Sequence, residues 1–151
     1  MAKELLLKEF EDGISDTIYK YGAVQLAFIG DAVFDLYIRT KLLEDNLSLN
    51  PNKLHRENSS IVSANFQSKV IALLKDSLSE SELAVFKWAR NANGKSAPKS
   101  TTASNYRNAT GFEALIGALF LQEKTERLEE IIGFAYRLKL REIHEKDSEK
   151  E

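Results

Sequence analysis

The sequence predicts an all-α fold, and three observations predict it. Chain breakers are scarce, with 7 Gly and 2 Pro in 151 residues, which favours long helices over many short strands. Apolar residues recur at helical rather than alternating spacing. The one long stretch without a large apolar side chain is NGKSAPKSTTASN, residues 93–105. With 43% hydrophobic and 29% charged residues, the expectation is one compact helical domain around one core, placed at residues 1–146.

Residues 1–16 read as a lead-in with at most one helical turn. From Tyr21 to Leu43 the chain has no Pro, and Leu26, Ile29, Val33, Leu36 and Leu43 recur at helical spacing. The run is apolar on most sides, which predicts a central, largely buried helix. EDNLSLNPN is a connector, with Asn50 and Pro51 placed to start the next helix. Residues 52–78 carry Leu54, Ile61, Val62, Phe66, Val70, Leu73 and Leu74 in an amphipathic pattern that weakens near Asn58–Ser60. Ser79, Glu80, Ser81 and Glu82 supply a cap for the helix running through LAVFKWARNA. Residues 93–105 form a long loop. Residues 106–123 (YRNATGFEALIGALFLQE) give a second strongly apolar helix, and Thr125–His144 an amphipathic one. The tail EKDSEKE has no apolar residue, and 147–151 are expected to be disordered.

Composition excludes several classes. There is no Cys, so neither a disulfide framework nor a thiolate metal site is available. Leu5–Leu7 is too short an apolar run for a signal peptide, and no run approaches the roughly 20 residues of a membrane span. The expectation is a cytoplasmic protein without membrane contact. His55 and His144 are the only histidines, which disfavours histidine-based metal ligation or a nucleophilic triad. The formal net charge of −2 and pI near 5.8 conceal an uneven distribution. No acid lies between Glu82 and Glu113, while Lys87, Arg90, Lys95, Lys99 and Arg107 do. Such a stretch is either a solvated basic loop or a local field that attracts phosphate.

Two acids stand where acids are costly. Asp31 lies within LAFIGDAVFDLYI and Glu113 within GFEALIGALFL. An uncompensated buried carboxylate costs several kcal/mol or more, and neither window contains Lys or Arg. Gly30 and Ala32 flank Asp31, and Ala114 follows Glu113. Small neighbours let helices approach, so the two carboxylates are able to converge into a hard-cation site suited to magnesium. The other reading is that each acid caps a backbone group or rests at a helix edge.

The string FIGDAV, followed about 80 residues later by FEALIGALFL, resembles the two catalytic helices of the ribonuclease III family. LAFIGDAVFDLYIR, KLHRENSSIVSANFQ, RNANGKSAPKST and YRNATGFEALIGALFL extend the resemblance over most of residues 21–123, in the family's order. The chain is too short for a following double-stranded-RNA-binding domain, and so resembles most the Mini-ribonuclease III branch that lacks one. The resemblance implies a ribonuclease III-type domain that cuts double-stranded RNA, leaving 5′-phosphate and 3′-hydroxyl ends, in maturation of precursor ribosomal RNA (the 23S precursor). It implies Mg2+ as cofactor, with Mn2+ as a substitute, and a homodimer in which each subunit cuts one strand. Asp31 and Glu113 match the family's metal-binding, catalytic acids. The fuller family places further acids where this chain has Val24, Ala27 and Thr110, a shortage the branch shares.

A protein without an accessory domain must supply its own duplex contacts. The loop after Arg90 and Asn91 is the candidate: Lys95 and Lys99 reach phosphates, and Asn, Ser and Thr reach 2′-hydroxyls. Arg107, His55 and Arg56 are further candidates, the last two equally readable as a surface pair. Asp35, one turn after Asp31, either holds a metal-bound water or is solvated. Trp88 either stacks on a base or packs. The apolar face near Phe28 and Phe34 is the expected dimer contact. The alternative on the same scaffold is a catalytically silent RNA-binding or ribosome-associated protein.

Overall fold

The structure, a computed structural model, describes residues 13–92 and 96–149. After a 3-10 turn at Asp16–Lys20, six α-helices follow: α1 Ala23–Asp45, α2 Pro51–Ile61, α3 Ala64–Leu74, α4 Glu80–Ala92, α5 Ala103–Leu121 and α6 Thr125–Glu149. No strand occurs among the described residues, and the all-α expectation holds. Each break in the helical series has a local cause. Asn50 accepts from the Lys53 backbone N–H at 2.9 Å, with Pro51 opening α2 where its missing N–H costs nothing. Thr102 caps α5 through the Asn105 N–H at 3.1 Å. Ser79 and Glu82 form a reciprocal capping box, with Glu82 N–H donating to the serine hydroxyl and Ser79 N–H to the carboxylate.

Several expectations are corrected. The amphipathic run 52–78 is two helices rather than one, because Ser63 turns its side chain to cap Phe66 N–H at 3.2 Å. Its break therefore falls at Val62–Ser63, later than the weak point expected near Asn58–Ser60. The last helix continues to Glu149 instead of ending at His144, so residues 147–149 of the expected disordered tail are helical. In α1, Leu26 and Val33 are buried as expected, but Leu36 and Leu43 are exposed. That helix is therefore buried along one side only. Its other side carries Val24, Phe28, Ala32 and Leu36 at four-residue spacing, and all four are exposed.

The core is assembled around α5, whose Phe112, Ala114, Leu115, Ile116, Ala118 and Leu119 are buried. Among the described elements its packing against α1 is the most extensive. A β-carbon built on Gly30 would lie 1.6 Å from the Glu113 carbonyl oxygen, and one on Gly117 2.1 Å from the Leu26 carbonyl oxygen. Both distances are shorter than any side chain tolerates, so only hydrogen fits where the backbones cross. Beside that crossing, the Phe34 and Phe112 rings meet edge to face at 5.2 Å between centroids, a geometry worth about 0.5–1.5 kcal/mol beyond burial.

A buried ion pair joins the first turns of α4 and α6. Arg127 of α6 donates from Nε and Nη2 to both Glu82 oxygens at 2.8 Å, and from Nη2 to the Ser77 carbonyl at 2.8 Å. Burial opposes the arginine's charge, but the bonds and charges of Glu82 and Glu130 outweigh it and raise its pKa. Glu82 thus caps α4 and ties it to α6 through one carboxylate.

Candidate active site

The α1–α5 crossing decides where the two acids lie. Asp31 follows Gly30 in sequence, and Gly30 sits against the Glu113 carbonyl, so removing one side chain brings two others together. The carboxyls share a hydrogen bond, and Asp31 stands close enough for its charge to act on Glu113. They lie in an open hollow lined by Val24, Ala27, Phe28, Asp31, Tyr106, Thr110 and Glu113. On α5, Tyr106 and Thr110 lie seven and three residues before Glu113, on the same helical face. Thr110 is buried and donates its hydroxyl to the Tyr106 carbonyl at 3.1 Å.

Burial is distributed differently from the expectation for the acids. Asp31 is exposed, on the rim, whereas Glu113 is half-buried. The Glu113 pKa is pushed up to about 9, first by burial and then by the negative charge and hydrogen bond of Asp31. Among the described residues none lining the hollow is cationic, so none of them offsets two negative charges. Among the described residues there is no group of three or more His, Cys, Asp or Glu able to hold a metal ion. Two adjacent carboxyls, one held neutral by burial and then by its neighbour, nevertheless fit a hard dication that keeps most of its waters. A positive ion between them is the simplest way for both to ionise.

The hollow also explains Val24, Ala27 and Thr110. All three line it, so the positions where further acids were considered do face the site, and here they make its wall apolar or neutral. Asp35 is not part of it: its carboxylate takes Arg39 Nε at 2.7 Å and Asn58 Nδ2 at 2.8 Å. That bond holds α2 against α1, a tertiary role.

The expected RNA contacts are spread more widely. Lys99 and Arg107 are exposed, and Lys95 lies outside the described residues. Arg90 is half-buried, its guanidinium 5.5 Å from the centre of the Phe86 ring, while Asn91 is exposed. His55 and Arg56 are exposed on α2. His55 shares a groove with Arg39, Leu42 and Leu43, and Arg39 is eight residues past Asp31, about 12 Å along the helix axis. The fold does not bring His55 to the acids. Trp88 is half-buried against the core and meets Tyr19 in a tilted ring contact at 4.8 Å between centroids, which favours packing. Of the dimer candidates, Phe28 is 78% exposed, but Phe34 is fully buried in the core and is withdrawn. Sequence reasoning did not single out Tyr106, whose place on the face of Glu113 was a findable signal. It also missed the Arg127–Glu82 pair, which no spacing announces.

Known proteins resemble this chain over most of its length. The Ribonuclease III domain family matches residues 24–124. The chain is 38% identical over 138 residues to a Mini-ribonuclease 3 of Clostridium tetani, covering 91% of this chain and 89% of that protein. A Mini-ribonuclease 3 of Streptococcus pneumoniae is 41% identical over 113 residues, 74% of this chain and 88% of the relative. A crystal structure of a Fusobacterium nucleatum protein superposes with a TM-score of 0.75 at 34% identity, over 82% of this chain and 99% of that one.

Proposed function

The chain belongs to the ribonuclease III family, in its Mini-ribonuclease III group, and is an endoribonuclease of double-stranded RNA; we propose that it is a magnesium-dependent one, with Asp31 and Glu113 as its metal-binding, catalytic acids. The observation that carries this is the shared hydrogen bond of two carboxyls in an open hollow with no cation among its described lining residues. When bound, the ion, Mg2+ or Mn2+ in its stead, supplies Lewis-acid polarisation of the scissile phosphodiester. Glu113 gives up its proton to hold it, and Asp31, on the rim, meets the RNA side. Val24, Ala27 and Phe28 make one wall apolar. With Asp31 and Glu113 as two protein carboxylates, water and RNA phosphate oxygens would have to supply the remaining ligands, so the ion would be held weakly until substrate arrives.

The product ends are 5′-phosphate and 3′-hydroxyl, and the substrate is precursor ribosomal RNA, the 23S precursor, in the cytoplasm. Lys95, Lys99 and Arg107 meet phosphate, with Arg90, Asn91, His55 and Arg56 as outer contacts. The protein acts as a homodimer, each copy cutting one strand. The exposed apolar stripe of α1 at Val24, Phe28, Ala32 and Leu36 supports this, since a second copy covering it relieves exposed apolar area. Among the described residues no helix is long and apolar enough to cross a membrane.

The deciding experiment incubates the protein with duplex RNA in magnesium or EDTA, beside Asp31→Asn and Glu113→Gln. Magnesium-dependent cleavage lost in both variants is expected. Cleavage indifferent to either substitution would overturn the assignment of the acids, and binding without cleavage by the parent chain would leave a silent RNA-binding protein.

A further inference from the structure

We propose that Asn65, the second residue of α3, is a positioning residue for the RNA duplex, fixing the turn that presents Lys99. The inference rests on the reading that the loop between α4 and α5 contacts RNA. Residues Pro98, Lys99, Ser100 and Thr101 form a turn closed by the Thr101 N–H donating to the Pro98 carbonyl at 3.2 Å. Lys99 occupies its outer corner and is exposed. The closing residue is pinned from outside the loop: Asn65 Oδ1 accepts from the Thr101 hydroxyl at 2.5 Å and from Asn105 Nδ2 at 3.1 Å. Asn65 Nδ2 reaches back to the Ser100 carbonyl at 3.5 Å. Behind it, the Ser68 hydroxyl donates to Asn105 Oδ1 at 3.0 Å and accepts from Asn108 Nδ2 at 3.1 Å.

Five polar side chains on α3, the loop and α5 thus form one connected set around the exit of the loop. Asn65 itself is exposed, so these bonds contribute little to the core. Their effect is to remove freedom from the turn at residues 98–101. A lysine on a mobile loop must be ordered when phosphate arrives, and that ordering subtracts from binding. Anchoring Thr101 meets the cost during folding. Asn65 touches neither phosphate nor the acids, and it acts through the turn.

The test measures kcat and KM for duplex-RNA cleavage, with melting temperature, in Thr101→Val, Thr101→Ser, Asn65→Ala and Lys99→Ala, and in Thr101→Val combined with Lys99→Ala. Thr101→Val is expected to raise KM about fivefold, the loss of one ordinary hydrogen bond, and Asn65→Ala, which also loses the bonds to Asn105 and the Ser100 carbonyl, by at least as much, with kcat and melting temperature close to the parent. Thr101→Ser, which keeps the hydroxyl, restores the parental KM. Lys99→Ala raises KM, and adding Thr101→Val to it raises KM no further, because no lysine remains to be positioned. A raised KM in Lys99→Ala with none in Thr101→Val and Asn65→Ala overturns the inference and leaves the RNA-contact reading standing. Equal effects of Thr101→Val in both backgrounds reduce the network to a structural one. An unchanged KM in Lys99→Ala removes the loop contact itself, and Asn65's role with it.

Discussion

Glu113 is the residue whose environment does most to set the chemistry. Its carboxyl titrates near 9 because it is half-buried beside Asp31, so in the ion-free protein it carries its proton at neutral pH. The folded value lies above the ordinary 4.5. The folded state therefore holds a proton that the unfolded chain releases, and stability falls as pH rises between these two values. Glu113→Gln removes this dependence. In EDTA at pH 8, urea unfolding is expected to find the variant more stable than the parent by more than about 1 kcal/mol, one unit of pKa shift. The difference should vanish toward pH 4. On the proposed metal site, the same substitution and Asp31→Asn would each withdraw one of two protein ligands, an effect worth several kcal/mol. Single-turnover cleavage in magnesium should then slow about a thousandfold or more. Stability and activity moving in opposite directions is the signature of an acid kept for function.

Among elements, the α1–α5 crossing is the least forgiving contact. A methyl group on Gly30 would overlap the Glu113 carbonyl at 1.6 Å and approach Gly117 N at 2.9 Å. Both are backbone atoms, so the helices themselves must separate. Gly30→Ala is expected to cost about 3 kcal/mol or more, read as a lowered urea midpoint, and to lose cleavage because the acids part. A variant as stable as its parent would show that the crossing is looser than these distances state. The boundary between α2 and α3 carries a different lesson. The apolar residues continue in helical register through Val62, and the break comes from one hydroxyl, that of Ser63, competing for a backbone N–H. Periodicity detects faces and is blind to such a switch.

At the scale of the whole molecule, the fold leaves the α1 stripe open beside the site. Phe28 both lines the hollow and is 78% exposed. Phe28→Asp is expected to shift sedimentation from dimer to monomer at micromolar concentration and to lower cleavage with it, while the isolated fold keeps its helical signal. A dimer that persists would move the interface elsewhere. The charge distribution makes a second prediction. A net charge of −2 coexists with an acid-free segment between Glu82 and Glu113, which spans the link from α4 to α5. RNA affinity should fall steeply between 50 and 200 mM salt, with a slope set by the phosphates neutralised. Salt-independent affinity measured by filter binding would rule out that segment as the contact.

The sequence by itself determined the class, the order of the helices and the two acids to watch, because scarce breakers and helical spacing are local properties written in consecutive residues. It also marked Gly30 as a place of close approach through its neighbours. Only the tertiary structure decided that Gly30 lies on the Glu113 carbonyl, that Asp31 is on the rim and Glu113 half-buried, and that Phe34 belongs to the core while Phe28 does not. It alone joined Arg127 to Glu82 and Thr101 to Asn65, across 45 and 36 residues. The physical reason is the same in each case. Spacing states which residues share a face of one helix, whereas burial, proton affinity and pairing depend on the neighbour packed against that face, and that neighbour is distant in sequence.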